Sequence, residues 1–182
     1  PPEELQLTEN AQPALMAVSM AIMKVLEKEV GFNLASKVKW VAGHSLGEYS
    51  ALAAAKTMSV ADTARLLKLR GQSMQKAVPV GVGAMAALLG AELDQAKAAA
   101  AEGAKLGICQ VANDNAPGQV VISGSVAAVE AAIAFAKTLG VKRGMLLPVS
   151  APFHCALMQP AADAMRDALA KTPMIDPAIA LI

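Results

Sequence analysis

Residues 43–47 read Gly-His-Ser-Leu-Gly, between the apolar run Val38-Lys39-Trp40-Val41-Ala42 and an alanine-rich segment with helical spacing. A strand that turns abruptly into a helix forces its central residue into a strained backbone conformation and leaves little room for flanking side chains. The Gly-x-Ser-x-Gly spacing therefore predicts a sharp strand-to-helix turn with the Ser45 hydroxyl exposed at its tip, in an α/β fold. At a helix N-terminus the unpaired N–H groups and the dipole favour developing negative charge, and the Leu46 N–H would point at a carbonyl oxygen under attack. A second reading makes Ser45 an ordinary helix N-cap, a position where serine is favoured.

Composition narrows the classes. With 182 residues, 55% of them hydrophobic and 17% charged, the chain can bury a core. Sixteen basic against 15 acidic residues, with one Trp, one Tyr and three Phe, supply neither the charge nor the stacking surface of a nucleic-acid binder. The longest uncharged apolar stretch, Ala77 to Ala91, is interrupted by Pro79 and several glycines and is too short to span a bilayer. Two cysteines, Cys109 and Cys155, fit a reducing compartment, with the cytoplasm as default, and their spacing suggests no metal site. The opening "PPEELQL" and the closing "PMIDPAIALI" suggest a piece of a longer polypeptide.

Along the chain, Leu15, Val18, Met20, Ile22, Val25 and Leu26 recur at helical spacing, predicting a buried helix over 11–30 with Pro13 in its first turn and Gly31 past its end. "KVKWVAG" reads as a strand, Ser45 opens a helix to about Lys56, and Ser59 opens another to about Val78. Between Val82 and Val149 the order is βαββαβ, a ferredoxin-like arrangement, with "NDNAPG" as the tight turn between its central strands. Residues 81–149 would then be a small domain inserted into a larger one formed by 1–80 and 150–182, with a further helix from about Ala156 to Lys171.

A nucleophilic serine needs a base, and the chain has two histidines. His44 adjoins Ser45 and would diverge from it around the turn, which suits a pocket wall. His154, in the loop "SAPFHCAL", is left as the base by elimination, although a loop histidine also fits a plain surface role. Asp62 looks like a helix-start residue, and Asp94 and Asp114 fall in the inserted segment, so none suits a triad acid. A Ser-His pair oriented by a backbone carbonyl needs none.

The stretches "GHSLGEYSALAAA", "RLLKLRGQSMQKAVPVGVGAMAALLG", "VANDNAPGQVVISG" and "LPVSAPFHCALMQPAADAM", with "LTENAQPALMAVSMAI" near the start, closely resemble the malonyl-CoA:acyl carrier protein transacylases of bacterial fatty acid synthesis. The resemblance covers essentially the whole chain. It implies an α/β-hydrolase-like large domain with a ferredoxin-like small one, Ser45 as nucleophile, His154 as base and the Leu46 N–H as an oxyanion donor. It further implies that Arg70 binds the free malonyl carboxylate, a planar bidentate match, with Met74 and Phe153 lining the acyl pocket. Malonyl-CoA and acyl carrier protein are the implied partners, both substrates, and no cofactor is implied. Acyl carrier proteins are acidic, so Lys76, Lys142 and Arg143 are candidate docking residues. The family's glycine-rich "GQGSQ" segment, which carries a second oxyanion donor, is not within the sequence. A serine esterase or thioesterase, or a non-catalytic carrier-binding module, would share parts of this pattern.

Overall fold

The computed structural model describes residues 1–182. Extended Leu7 separates a short helix, α1 (Pro2–Gln6), from the long α2 (Thr8–Glu29). Because α2 begins at Thr8, Pro13 lies inside it rather than in its first turn, where it cannot donate to the Glu9 carbonyl. The expectation of a buried helix also needs correction. Leu15, Val18, Ile22 and Val25 are all more than half exposed, while Gln12 and Met16 are the buried residues of α2. Periodicity identified the helix, but packing through the Gln12–Met16 side was decided by partners far along the chain.

Asn33 caps a short helix that the sequence did not announce, α3 (Leu34–Lys37), by accepting from the Ser36 N–H at 3.2 Å. The strand expected in "KVKWVAG" is confined to β1 (Trp40–Val41), followed by α4 (Leu46–Ala54) and α5 (Val60–Ala77). Ser59 opens α5 as expected: its hydroxyl accepts from the Asp62 N–H at 3.0 Å and donates to the Asp62 carboxylate at 2.6 Å.

Next come β2 (Gly83–Leu89), α6 (Leu93–Gly103), β3 (Cys109–Ala116), β4 (Gln119–Ser125), α7 (Val126–Thr138) and β5 (Arg143–Leu146). They form an antiparallel sheet in the order β3-β4-β2-β5. Ala86 and Leu88 of β2 and Val120 and Ile122 of β4 bury one face against Ala96, Ala99 and Ala100 of α6 and Val129, Ala132 and Ala136 of α7. The small helix residues permit close approach: a Cβ on Gly103 would lie 2.2 Å from the Ala128 carbonyl oxygen.

The expected "NDNAPG" turn is also corrected. Strand β3 runs through Asn113, Asp114 and Asn115 to Ala116, leaving Pro117-Gly118 as the turn. The polar residues are tolerated because β3 is an edge strand whose pairing with buried β4 shifts register between Val111 and Asn113 and again between Asp114 and Ala116. Gly118, at φ +75, takes the left-handed conformation that this turn demands.

A 3-10 turn (Ala156–Met158) leads into α8 (Gln159–Ala170), and the chain ends in β6 (Ala180–Leu181). Strand β6 pairs in parallel with β1, Trp40 opposite Ala180 and Val41 opposite Leu181. Two compact units result: Pro1–Ser73 with Ala164–Ile182, and Met74–Asp163, the divisions falling inside α5 and α8. In the first, Met58, Leu66 and Met165 form a buried cluster. The fold is an α/β mixture, and no helix is long and apolar enough to cross a membrane.

Candidate active site

Ser45 has φ 53 and ψ −115, a conformation that an L-residue reaches only at a cost of about 1–3 kcal/mol. The non-glycine residues at positive φ are Ser45, Lys56 and His154. The strain at Ser45 comes from the tightness of the turn. A Cβ on Gly43 would lie 2.0 Å from both the carbonyl carbon and oxygen of Gly47, so no side chain fits there. At Gly47 a Cβ would meet nothing within 4 Å, so the collision expected on both sides of the serine arises only on the first.

The turn closes through Gly47 N–H to His44 O at 2.9 Å and Glu48 N–H to Ser45 O at 3.2 Å. Leu46, the first residue of α4, has its N–H among the donors that a helix start leaves without an intrahelical partner. The Ser45 hydroxyl makes no capping bond to the helix. Instead it accepts from Arg70 Nη2 at 3.1 Å.

Arg70 projects from α5 and is held on three sides within the first unit. Its Nη1 donates to Gln12 Oε1 at 2.6 Å, and its Cζ lies 5.8 Å from the centroid of the Tyr49 ring, one turn along α4 from Ser45. Burial pushes the guanidinium below its usual range, an effect opposed by Tyr49 and Glu48. The same burial raises the Tyr49 phenol, which the Arg70 charge partly counters. An arginine remains cationic at neutral pH under such conditions.

Gln12 Nε2 in turn donates to Thr8 Oγ1 at 2.9 Å. Nearby, Lys68 Nζ reaches Asn10 Oδ1 at 2.7 Å and Glu9 Oε2 at 3.3 Å, so α5 grips the first turns of α2 by several side chains. Neither Gln12 nor Tyr49 was singled out from sequence. The available signal for Gln12 was a polar side chain one turn before Met16, on the same face of the helix.

His154 belongs to the second unit, exposed and at φ +58 in the loop before α8. Neighbouring contacts hold that loop. Cys155 Sγ donates to Pro152 O at 3.2 Å, and Ala156 N–H donates to Gln110 Oε1 of β3 at 2.7 Å. A Cβ on Gly83 would overlap the Pro152 ring at 2.2 Å, so the start of β2 must be bare for the loop to seat there. Phe153 packs against a buried cluster of Met74, Val78, Ala151, Met158 and Ala161. Met74 and Phe153 thus share one apolar environment, and His44 is exposed beside the turn.

A hydroxyl at a strained turn, against a half-buried guanidinium, is suited to attack an acyl group whose far end carries a carboxylate. The acyl transferase domain family matches residues 1–182. The chain is 47% identical over 184 residues to the malonyl CoA-acyl carrier protein transacylase of Escherichia coli K12, an alignment covering 100% of this chain and 58% of that protein. A transacylase of the same name from Bacillus subtilis 168 is 46% identical over 168 residues, 92% of this chain and 51% of its own length.

Among solved structures, an acyl-carrier-protein-S-malonyltransferase from Bartonella henselae superposes with a TM-score of 0.95 at 57% identity, covering 100% of this chain and 58% of that one. A type II PKS acyl-carrier protein in complex with its malonyl-transacylase matches with a TM-score of 0.94 at 43% identity, again over 100% and 58%. The chain spans about 58% of the length of these first relatives.

Proposed function

The chain belongs to the acyl transferase domain family, and on that footing we propose that this protein moves a malonyl group from malonyl-CoA, through an ester on Ser45, to the phosphopantetheine thiol of acyl carrier protein. His154 takes the Ser45 proton as the hydroxyl oxygen attacks the thioester carbonyl, and the Leu46 N–H stabilises the tetrahedral oxyanion. Collapse breaks the carbon–sulfur bond, and CoA leaves with the proton held by His154. The carrier thiol then attacks the ester, His154 accepting its proton and returning one to Ser45. Ping-pong kinetics follow.

Arg70 pairs with the free malonyl carboxylate, Met74 and Phe153 bound the acyl chain, and His44 forms part of the pocket wall. No cofactor enters this scheme, malonyl-CoA and the carrier arm being substrates. Residues 1–80 and 150–182 are read as an α/β-hydrolase-like large domain and 81–149 as a ferredoxin-like small one. The βαββαβ order and the β3-β4-β2-β5 sheet support the latter. Fatty acid synthesis in the cytoplasm is the proposed setting.

The observation that carries this reading is the 3.1 Å hydrogen bond from Arg70 to the Ser45 hydroxyl. A serine esterase has no need of a cation there, and a carrier-binding module has no need of the strained serine. Mass spectrometry after brief incubation with malonyl-CoA tests the proposal: a malonyl adduct on Ser45 that disappears in Ser45→Ala supports it, and an unmodified Ser45 refutes it.

A further inference from the structure

Thr8 makes no hydrogen bond to Ser45 or Arg70, yet a short relay connects it to both. Thr8 Oγ1 accepts from Gln12 Nε2 at 2.9 Å, Gln12 Oε1 accepts from Arg70 Nη1 at 2.6 Å, and Arg70 Nη2 donates to Ser45 Oγ at 3.1 Å. A guanidinium offers donors only, so the Gln12 amide must present its oxygen to Arg70 and its NH2 group to the opposite side. Gln12 is 3% exposed, which leaves water little access to repair a lost partner. Thr8 stands one helical turn before Gln12, the spacing at which side chains on one helix face meet.

We propose that Thr8 is a positioning residue: by anchoring the Gln12 amide it holds the Arg70 guanidinium where a carboxylated acyl group needs it. Without the Thr8 hydroxyl, the buried Nε2 loses this acceptor, and the amide is held less firmly with its oxygen toward Arg70. The backbone beneath the relay is set by Gly71, the residue after Arg70. A Cβ there would lie 2.3 Å from Glu9 Cα and 2.7 Å from the Thr8 carbonyl oxygen. Bare backbone at this point lets α5 seat directly on the turn that carries Thr8, and Pro13 leaves the adjoining Glu9 carbonyl without its usual helical donor.

The inference rests on the proposed malonyl transfer and is tested by comparing Thr8→Val and Thr8→Ser with the wild-type protein, using malonyl-CoA and acetyl-CoA as parallel donors. Thr8→Val is expected to raise the KM for malonyl-CoA about 5- to 10-fold, as for a lost hydrogen bond to a buried polar group. Acetyl transfer should stay within about twofold of wild type, and Thr8→Ser should restore malonyl KM. An unchanged malonyl-to-acetyl ratio in Thr8→Val overturns the inference. So does an equal loss with both donors accompanied by a lower melting temperature, because Thr8 would then be merely structural.

A second readout needs no turnover. The nitrogen-15 NMR signals of the Arg70 guanidinium should be individually resolved in wild type and Thr8→Ser, and averaged by rotation in Thr8→Val. Identical signals in all three overturn the relay. Should the wild-type protein transfer no malonyl group, the proposed function falls while the NMR comparison still decides whether Thr8 positions Arg70.

Discussion

Arg70 Nη2 donates to Ser45 Oγ at 3.1 Å across 25 residues of chain, placing a fixed positive charge on the hydroxyl at the strained turn. Under the proposed malonyl transfer, that charge would separate a site for carboxylated acyl groups from a serine hydrolase without such a cation.

Arg70→Ala is expected to lower kcat/KM for malonyl-CoA by about 10- to 100-fold, the cost of removing a half-buried, charge-assisted hydrogen-bond partner. Transfer from acetyl-CoA, which carries no second carboxylate, should change by less than about threefold. Steady-state kinetics with both donors checks this, and equal losses would contradict the role assigned to Arg70.

The two glycines of the turn should respond in opposite ways. Gly43→Ala places a methyl group 2.0 Å from Gly47 backbone atoms and is expected to cost about 3 kcal/mol or more, or to abolish folding. Gly47→Ala meets open space inside a helix, so urea unfolding should show stability unchanged or raised by about 0.5–1 kcal/mol.

Burial pushes the Cys109 thiol up to about 11, with the nearby Cys155 adding to the rise. The thiolate is the reactive form, so Cys109 is expected to resist iodoacetamide at pH 8 while the fold is intact. Because the native state favours the protonated thiol, its contribution to stability is fully present below the ordinary thiol pKa of about 8.5 and is lost as pH rises from there toward the folded value. Denaturation curves from pH 7 upward should show that decline in the wild type and a weaker one in Cys109→Ala.

Lys76, Lys142 and Arg143 are all exposed. Reversing the three charges to Glu is expected to raise the KM for an acidic carrier protein several-fold at low salt, with the difference shrinking as salt screens the surface. Formation of the malonyl-enzyme from malonyl-CoA should be unaffected. An unchanged transfer rate to the carrier would remove these residues from the docking surface.

Local signals were legible where neighbours in sequence decide the outcome. Gly43-x-Ser45 implies a tight turn whatever surrounds it, and Ser59 with Asp62 caps a helix by contacts three residues apart. The Asn113-Asp114-Asn115 stretch misled because its turn propensity was overridden by pairing with buried β4. The apolar stripe of α2 misled similarly: its spacing reports a helix but not which side another element will cover.

The sequence by itself therefore determined the longer helices, the βαββαβ succession of elements in the second unit and the serine at a strand-to-helix turn, because these follow from backbone sterics and side-chain periodicity within a few residues. Only the tertiary structure decided that Gln12 of α2 and Tyr49 of α4 would flank Arg70 of α5 and that Arg70 would reach Ser45, since these residues come from separate helices. The crossing of α2 and α5 depends on a missing side chain at Gly71 meeting the backbone of Thr8 and Glu9, a fit between surfaces 62 or more residues apart that no local pattern encodes.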